Sequence, residues 1–445
     1  MKDKIPYLYR IAGMAAFSGF TSNFSMSAMT PAIPFLIRHF KVGATLLGLM
    51  VSSLAIGAMA GALLTSRLPD RIGRRNSLKF AAWIFLAASC LSALSITPYD
   101  LILYRIMTGF AVGMTSVAAP MYLAEIAPPE KRGITVSLYQ LAIVVGILFS
   151  YFSGYIFSHS SFTWRLMLGM AAVPSGILLV LLSQIPESPH WLAGQNRKEQ
   201  SIGILEKIGG KAYAGTVIQH MSFSPREENR SVSFRLFFQK SYLKVLLAGS
   251  VLTVIQQWSG TNIIFSYSPV IYESAGFSTA AAVSQTIFIG LINLLFTLLS
   301  FPLIQQKGRK SILLGGLAVN FLTLMIAGIY FHAGWHQPFL LVAVFLFCVA
   351  SFAATLGPVT WIVISEISPA AIRSQAMSVF VCCLWLAGMA GTFSFPLLDA
   401  ALGTGRVFFL YALLCLFSMV FIALSIPETR NKSLEEIEKL WHSRK

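Results

Sequence analysis

The stretch E-I-A-P-P-E-K-R, Glu125 to Arg132, returns as E-I-S-P-A-A-I-R, Glu366 to Arg373, 241 residues further along the chain. An acid and an arginine seven apart, repeated at one offset, mark an internal duplication. Two other pieces return with them: Pro186-Glu187-Ser188 as Pro427-Glu428-Thr429 at the same offset, and Gly73-Arg74-Arg75 as Gly308-Arg309-Lys310 at an offset of 235. Between these charged marks the chain is apolar. Of its 445 residues, 56% are hydrophobic and 11% charged, and the mean hydropathy of +0.71 lies far outside the range of soluble domains. About twelve runs are long enough to cross roughly 30 Å of hydrocarbon as helices of about 20 residues. They start near residues 8, 43, 77, 99, 134, 164, 242, 280, 310, 337, 370 and 404. Their length and glycine content favour helices over the roughly ten-residue alternating strands of a barrel. The predicted fold is an all-α membrane protein with twelve transmembrane helices in two parallel six-helix repeats. An N-terminal bundle covers 1–185, a cytoplasmic helical linker 186–240, a C-terminal bundle 241–426 and a cytoplasmic tail 427–445.

The net charge of +16 would suit nucleic acid, but the basic residues gather in alternate short loops, the positive-inside pattern. Arg67, Arg71, Arg74, Arg75 and Lys79 follow span two, Lys131 and Arg132 follow span four, and Lys307, Arg309 and Lys310 follow span eight. The opposite loops carry chiefly Arg38 and Lys41. Both termini and the linker are therefore expected in the cytoplasm, with the chain in the cell membrane, a bacterial inner membrane, and no nucleic-acid partner. Cys90, Cys348, Cys382, Cys383 and Cys415 all fall in predicted spans, so no exported disulfide framework is implied. The start M-K-D-K-I-P-Y-L-Y-R leads into an apolar run without a small-residue cleavage site and reads as the first span. The sequons at Asn23, Asn229 and Asn431 lie in membrane or cytoplasmic segments and are expected to stay unglycosylated.

Two parallel six-helix halves with a midplane site are the architecture of alternating-access secondary transporters. The motifs sharpen this. D-R-I-G-R-R (Asp70 to Arg75), P-M-Y-L-A-E-I-A-P-P-E-K-R-G (Pro120 to Gly133), P-E-S-P-H-W-L (Pro186 to Leu192), Q-Q-W-S-G-T-N (Gln256 to Asn262), G-P-V-T-W-I-V-I-S-E (Gly357 to Glu366) and P-E-T-R-N-K-S-L-E-E-I (Pro427 to Ile437) together resemble the sugar porter family of the major facilitator superfamily. The G-R-R loop is shared by the whole superfamily, whereas the PESP-W-L, Q-Q-x-S-G-x-N and PET-SLEEI elements point to sugar porters. The resemblance runs from about residue 15 to residue 438 and implies the major facilitator fold.

On a continuous helix Gln256, Ser259, Asn262 and Ser266 fall within an arc of about 120°, one polar stripe on span seven. Amides offer donors and acceptors without fixed charge, as the paired hydroxyls of a sugar require. The alternative is that they bind helices to one another. Ser259-Gly260 and Pro269 weaken the helix locally, as in the broken helices of transporter sites. The resemblance assigns sugar contacts to Gln140, Gln256, Gln257, Asn262 and Asn293, with Trp361 and Trp385 as the aromatics beside the sugar. It also implies that Arg74, Glu125 and Arg132, with Arg309, Glu366 and Arg373, form inter-helix ion pairs that lock the cytoplasmic side, joined by Glu187 and Glu428. Gln305-Gln306 replaces the acid–Arg pair of relatives before G-R-K, so a weaker lock is expected in the second half.

Arg105 lies about 9 Å into span four at 1.5 Å per residue, where a charge is costly and usually functional unless it snorkels outward. In proton-coupled relatives its partner is the Asp of a G-Y-D in span one. Here the matching stretch is G-F-T, with Thr21 at that coupling position. Facilitated diffusion is therefore expected over proton symport. Ser266 and Leu384 stand where many relatives have an aromatic and an Asn, and His190 where they have Arg, so a polyol, cyclitol or aromatic acid remains a rival substrate to a hexose or pentose. A non-transporting sugar sensor is a further rival, disfavoured because only about 18 residues follow Pro427. No nucleophile–base pair, metal-ligand cluster or cofactor loop appears, so neither an enzyme nor a cofactor is expected, and His39, His159, His332 and His336 are assigned no role. The expected partners are a small-molecule sugar and membrane lipids, with a monomer as the working unit.

Overall fold

The computed structural model describes residues 5–65, 68–223, 240–369 and 372–430, with 432 and 436. Arg67, the sequons at Asn229 and Asn431, linker residues 224–239 and most of the tail beyond 430 lie outside the described residues. In chain order the helices are α1 (Ile5–Ser27), α2 (Met29–Phe40), α3 (Ala44–Thr65), α4 (Leu68–Ile72), α5 (Arg74–Ala93), α6 (Pro98–Ile126), α7 (Arg132–Phe157), α8 (Thr163–Gly169), α9 (Ala172–Gln184), α10 (Pro189–Gly194), α11 (Lys198–Gly209), α12 (Lys211–Phe223), α13 (Lys240–Trp258), α14 (Thr261–Ser274), α15 (Thr279–Gln306), α16 (Arg309–His332), α17 (Pro338–Ala354), α18 (Leu356–Ile367), α19 (Arg373–Leu402) and α20 (Thr404–Ser425).

Ten helices or joined helix pairs, among the described residues, are long and apolar enough to cross a bilayer. The other two of the twelve spans are interrupted: α1–α2 at Ala28 and α13–α14 at Ser259–Gly260. They are the first span of each repeat. Local chemistry explains both breaks. The run M-T-P-A-I-P places Pro31 in the first turn of α2 and Pro34 farther inside it, where each removes a main-chain donor. Gly260 takes a left-handed conformation, φ 84° and ψ −27°, which favours glycine. Other ends follow ordinary capping rules. Thr97 and Asp100 form a reciprocal capping box at the start of α6, and the Ser278 side chain accepts from Ala281 N at the start of α15.

The G-x-x-x-G of α3 has a packing role. A methyl on Gly57 or Gly61 would strike the backbone of Ile106 or Phe110 on α6, and one on Gly113 of α6 would strike that of Ala58. Only hydrogen side chains permit this helix approach.

The chain divides into two compact units. The first comprises Met1–Ala28, Ile56–Ser150 and Arg165–Arg230. Its core gathers Leu8, Ile11 and Ala15 of α1 with Tyr122 of α6 and Leu178 of α9, and Ile208 of linker helix α11 packs on the same core. The second comprises Met29–Ala55, Tyr151–Trp164 and Ser231–Lys445. Within it, α2 and the end of α7 are bonded to α14: Thr30 Oγ1 donates to Phe265 O at 2.9 Å, Tyr151 OH donates to the same carbonyl at 3.0 Å, and Arg38 pairs with Glu273 at 2.7 Å.

Candidate functional site

The break in span seven decides which of its polar groups meet. Gln257 and Asn262 are five residues apart, about 140° on an unbroken helix, and would not touch. The left-handed turn at Gly260 brings them together, and Asn262 Nδ2 donates to Gln257 Oε1 at 3.0 Å. Gly388 of α19 lies against this pair, its place for a Cβ 3.0 Å from Gln257 Oε1. Trp258 Nε1 donates to Ala387 O at 2.8 Å, tying the end of α13 to α19.

The stripe expected on a continuous helix is therefore split. Gln256 is buried, and its Nε2 donates to Leu356 O at 3.1 Å and Gly357 O at 3.0 Å. Those carbonyls follow Thr355, where span ten is itself interrupted between α17 and α18. Ser259 Oγ donates to Gln256 O at 3.0 Å, satisfying a carbonyl that the break releases. The amide nitrogen of Gln256 thus serves helix-to-helix bonding, while Gln257 and Asn262 form a half-buried amide pair. In the same unit Asn293 of α15 is buried, Trp361 of α18 is exposed, Trp385 of α19 is half-buried, Leu384 is buried and Ser266 half-buried. Neither indole donates to a protein group among the described residues. Gln140, in the first unit, is exposed on α7.

At the ends of the helices that carry the duplicated charges, Arg74 reaches two carboxylates. Its Nη1 is 2.9 Å from Asp70 Oδ1 and its Nη2 3.0 Å from Glu125 Oε1, while Ser188 Oγ donates to Glu125 Oε2. In the second repeat Arg309 reaches one carboxylate among the described residues, its Nη2 3.2 Å from Glu366 Oε1, while its Nη1 donates to Ile304 O at 3.5 Å. Arg132 is exposed and makes no ion pair within 4 Å among the described residues, and Arg373 spends its guanidinium on Ser368 O at 3.3 Å.

Glu187 and Glu428 do something other than pair with arginine side chains. Glu187 Oε1 accepts from Arg75 N and Ser188 N, both at 2.9 Å. Glu428 Oε1 accepts from Arg309 N at 2.9 Å and its Oε2 from Lys310 N at 3.2 Å. Each acid caps the N-terminus of the helix that follows G-R-R or G-R-K, where free N–H groups and the helix dipole favour an anion. A methyl on Gly73 or Gly308 would occupy the place of that carboxylate.

Arg105 is almost fully buried and does not snorkel. Its Nη1 donates to Ser25 O at 3.2 Å and to Met26 O at 3.4 Å, and its Nη2 donates to Met26 O at 3.4 Å. These carbonyls end α1, where the break leaves them without helical donors, so a cation is favoured there. Thr21, fully buried, donates to Phe17 O at 3.1 Å and Pro174 O at 3.4 Å. No carboxylate pairs with Arg105 among the described residues. The sequence reading passes over Asn320, Thr261, Thr30 and Tyr151, although a lone amide in the apolar run of span nine is itself a signal.

A duplicated bundle of twelve spans with interrupted first helices defines a major facilitator transporter rather than an enzyme. The chain belongs to the sugar (and other) transporter family, whose model matches residues 7–441. It is 33% identical to the arabinose-proton symporter of Bacillus subtilis over 442 residues, covering 98% of this chain and 95% of that protein. It is 32% identical to the major myo-inositol transporter IolT of the same organism over 450 residues, again covering 98% and 95%. An inward-open structure of the xylose transporter XylE from E. coli superposes with a TM-score of 0.88 at 31% identity, covering 98% of this chain and all of that one.

Proposed function

We propose that this transporter carries a monosaccharide, hexose or pentose, by rocker-switch alternating access, and that it works as a facilitative uniporter. The repeats 1–185 and 241–426 are the moving halves, joined by the linker 186–240, with both termini in the cytoplasm of a bacterial cell. Sugar as the cargo is supported by the family and by relatives named for arabinose, xylose and inositol. Gln257 and Asn262 are the central contacts; Asn293, Trp361, Trp385, Gln140 and Gln256 are assigned on the resemblance.

The observation that carries the uniport reading is the Arg105 guanidinium lying on main-chain carbonyls, with Thr21 and no acid at the coupling position. Carbonyls do not titrate, so among the described residues this charge has no partner whose protonation could release it. The arabinose relative is named a proton symporter, which makes the distinction experimental. Uptake of radiolabelled glucose, xylose and inositol into proteoliposomes, with and without an imposed proton gradient and ionophore, tests it. Equilibrative uptake indifferent to the gradient is expected, whereas gradient-driven accumulation would overturn uniport. The substrate taken up separates a monosaccharide from a cyclitol.

A further inference from the structure

Asn320 of α16 is completely buried in an otherwise apolar stretch of span nine. Its Nδ2 donates to Thr261 Oγ1 at 3.1 Å and lies 3.4 Å from Ser259 O. These two residues flank Gly260, so one side-chain amide bridges the break between α13 and α14. Two thiols complete the setting: Cys415 Sγ donates to Ser259 O at 3.6 Å, and Cys348 Sγ lies 3.6 Å from Thr261 Oγ1. One turn along α16, Leu324 fills the space a side chain at Gly260 would need, with its Cδ1 2.6 Å from the place of a Cβ. One face of span nine is thus shaped to the interruption in span seven.

The amide is retained at a cost. Asn320 Oδ1 is buried with no hydrogen-bond partner among the described residues, and an unsatisfied buried carbonyl disfavours the folded state. A leucine would fill this core position without that penalty. Polar groups that break the rules of a core are expected where a site needs them, and here the need is visible. The Gln257–Asn262 contact exists only because the helix turns at Gly260.

We infer that Asn320 is a positioning residue, holding the Ser259–Thr261 break in the geometry that presents Gln257 and Asn262 to substrate. This rests on the reading of those two amides as sugar contacts. Asn320 touches neither amide; it acts through the main chain between them. Loss of its donors lets the break relax, so the sugar site loses affinity while the helices stay assembled.

The test is a binding cycle on the full-length purified carrier, with D-xylose and D-glucose as probes and intrinsic tryptophan fluorescence as readout. The variants are Asn320→Leu, Thr261→Val, Asn262→Ala and Asn320→Leu combined with Asn262→Ala. Asn320→Leu is expected to raise Kd about tenfold and Thr261→Val about threefold, and the Asn320→Leu effect is expected to shrink in the Asn262→Ala background, where Gln257 is the one amide left to misplace, as acting through a shared element requires. A purely structural role would lower the melting temperature but leave the Kd of folded carrier unchanged, or multiply independently with Asn262→Ala; either result overturns the inference while the sugar site stands. Unchanged Kd in Asn262→Ala alone overturns the site reading and the inference together. If Asn320→Leu does not fold, the isosteric Thr261→Val carries the same comparison.

Discussion

Pro269 leaves the carbonyl of Phe265 without its helical donor. Four residues on, where an N–H would close the α-helical bond, proline has none. Thr30 and Tyr151 fill the vacancy, donating to Phe265 O at 2.9 and 3.0 Å. A helix-breaking residue thereby becomes an attachment point for α2 and α7 on α14.

Removing one hydroxyl leaves the carbonyl a single partner, and removing both leaves it none. Tyr151→Phe and Thr30→Val should each lower the stability of the detergent-purified carrier by about 1 kcal/mol. The double variant should cost more than their sum, because only then is the carbonyl orphaned. Thermal unfolding followed by fluorescence checks this; strict additivity would argue against a shared acceptor.

The two repeats should respond unequally to loss of their acids. Glu125 is bonded by Arg74 and Ser188, and Glu366 by Arg309 at 3.2 Å. Glu125→Gln should destabilise by about 1–3 kcal/mol and Glu366→Gln by less, since fewer bonds are lost. Melting temperatures of the two variants decide the order.

Gly73→Ala and Gly308→Ala separate collision from backbone strain. Both methyls strike a capping carboxylate, but Gly73 also sits at φ 97°, while Gly308 has φ −69°. Gly73→Ala should therefore be the worse by about 1–2 kcal/mol, seen as lower membrane yield and lower melting temperature. Equal defects would mean that collision alone matters.

With no acid beside Arg105 among the described residues, initial uptake should be flat between about pH 5.5 and 8, the window in which tuned carboxylates and histidines change charge. Thr21→Asp should introduce a slope. Arg105→Met should leave the Ser25 and Met26 carbonyls unsatisfied and lower stability by roughly 1–3 kcal/mol. A steep pH profile in the unaltered protein would require a proton carrier elsewhere.

The twelve spans, the duplication and the family are legible in the residues alone, because apolar length and repeated charged motifs survive without knowledge of packing. The resemblance pointed to Arg74, Glu125, Arg309 and Glu366 as ion-pairing residues, and the structure pairs Arg74 with Glu125 and Arg309 with Glu366. Where the hydrogen bonds go depends on packing between helices. Periodicity on an unbroken helix groups Gln256 with Asn262; the turn at Gly260 instead joins Asn262 to Gln257 and sends Gln256 to the interruption in span ten. Glu187 and Glu428 are expected to join the charged networks, and their carboxylates accept from main-chain N–H groups at helix starts. Asn320 is visible in the sequence as a lone amide in an apolar run, but its role became legible only with its partners in place. The reason is common to all three. Hydrophobicity is read residue by residue along the chain, whereas a buried polar group is satisfied by whichever donor or acceptor packing brings within about 3 Å, and a single left-handed glycine can change which one that is.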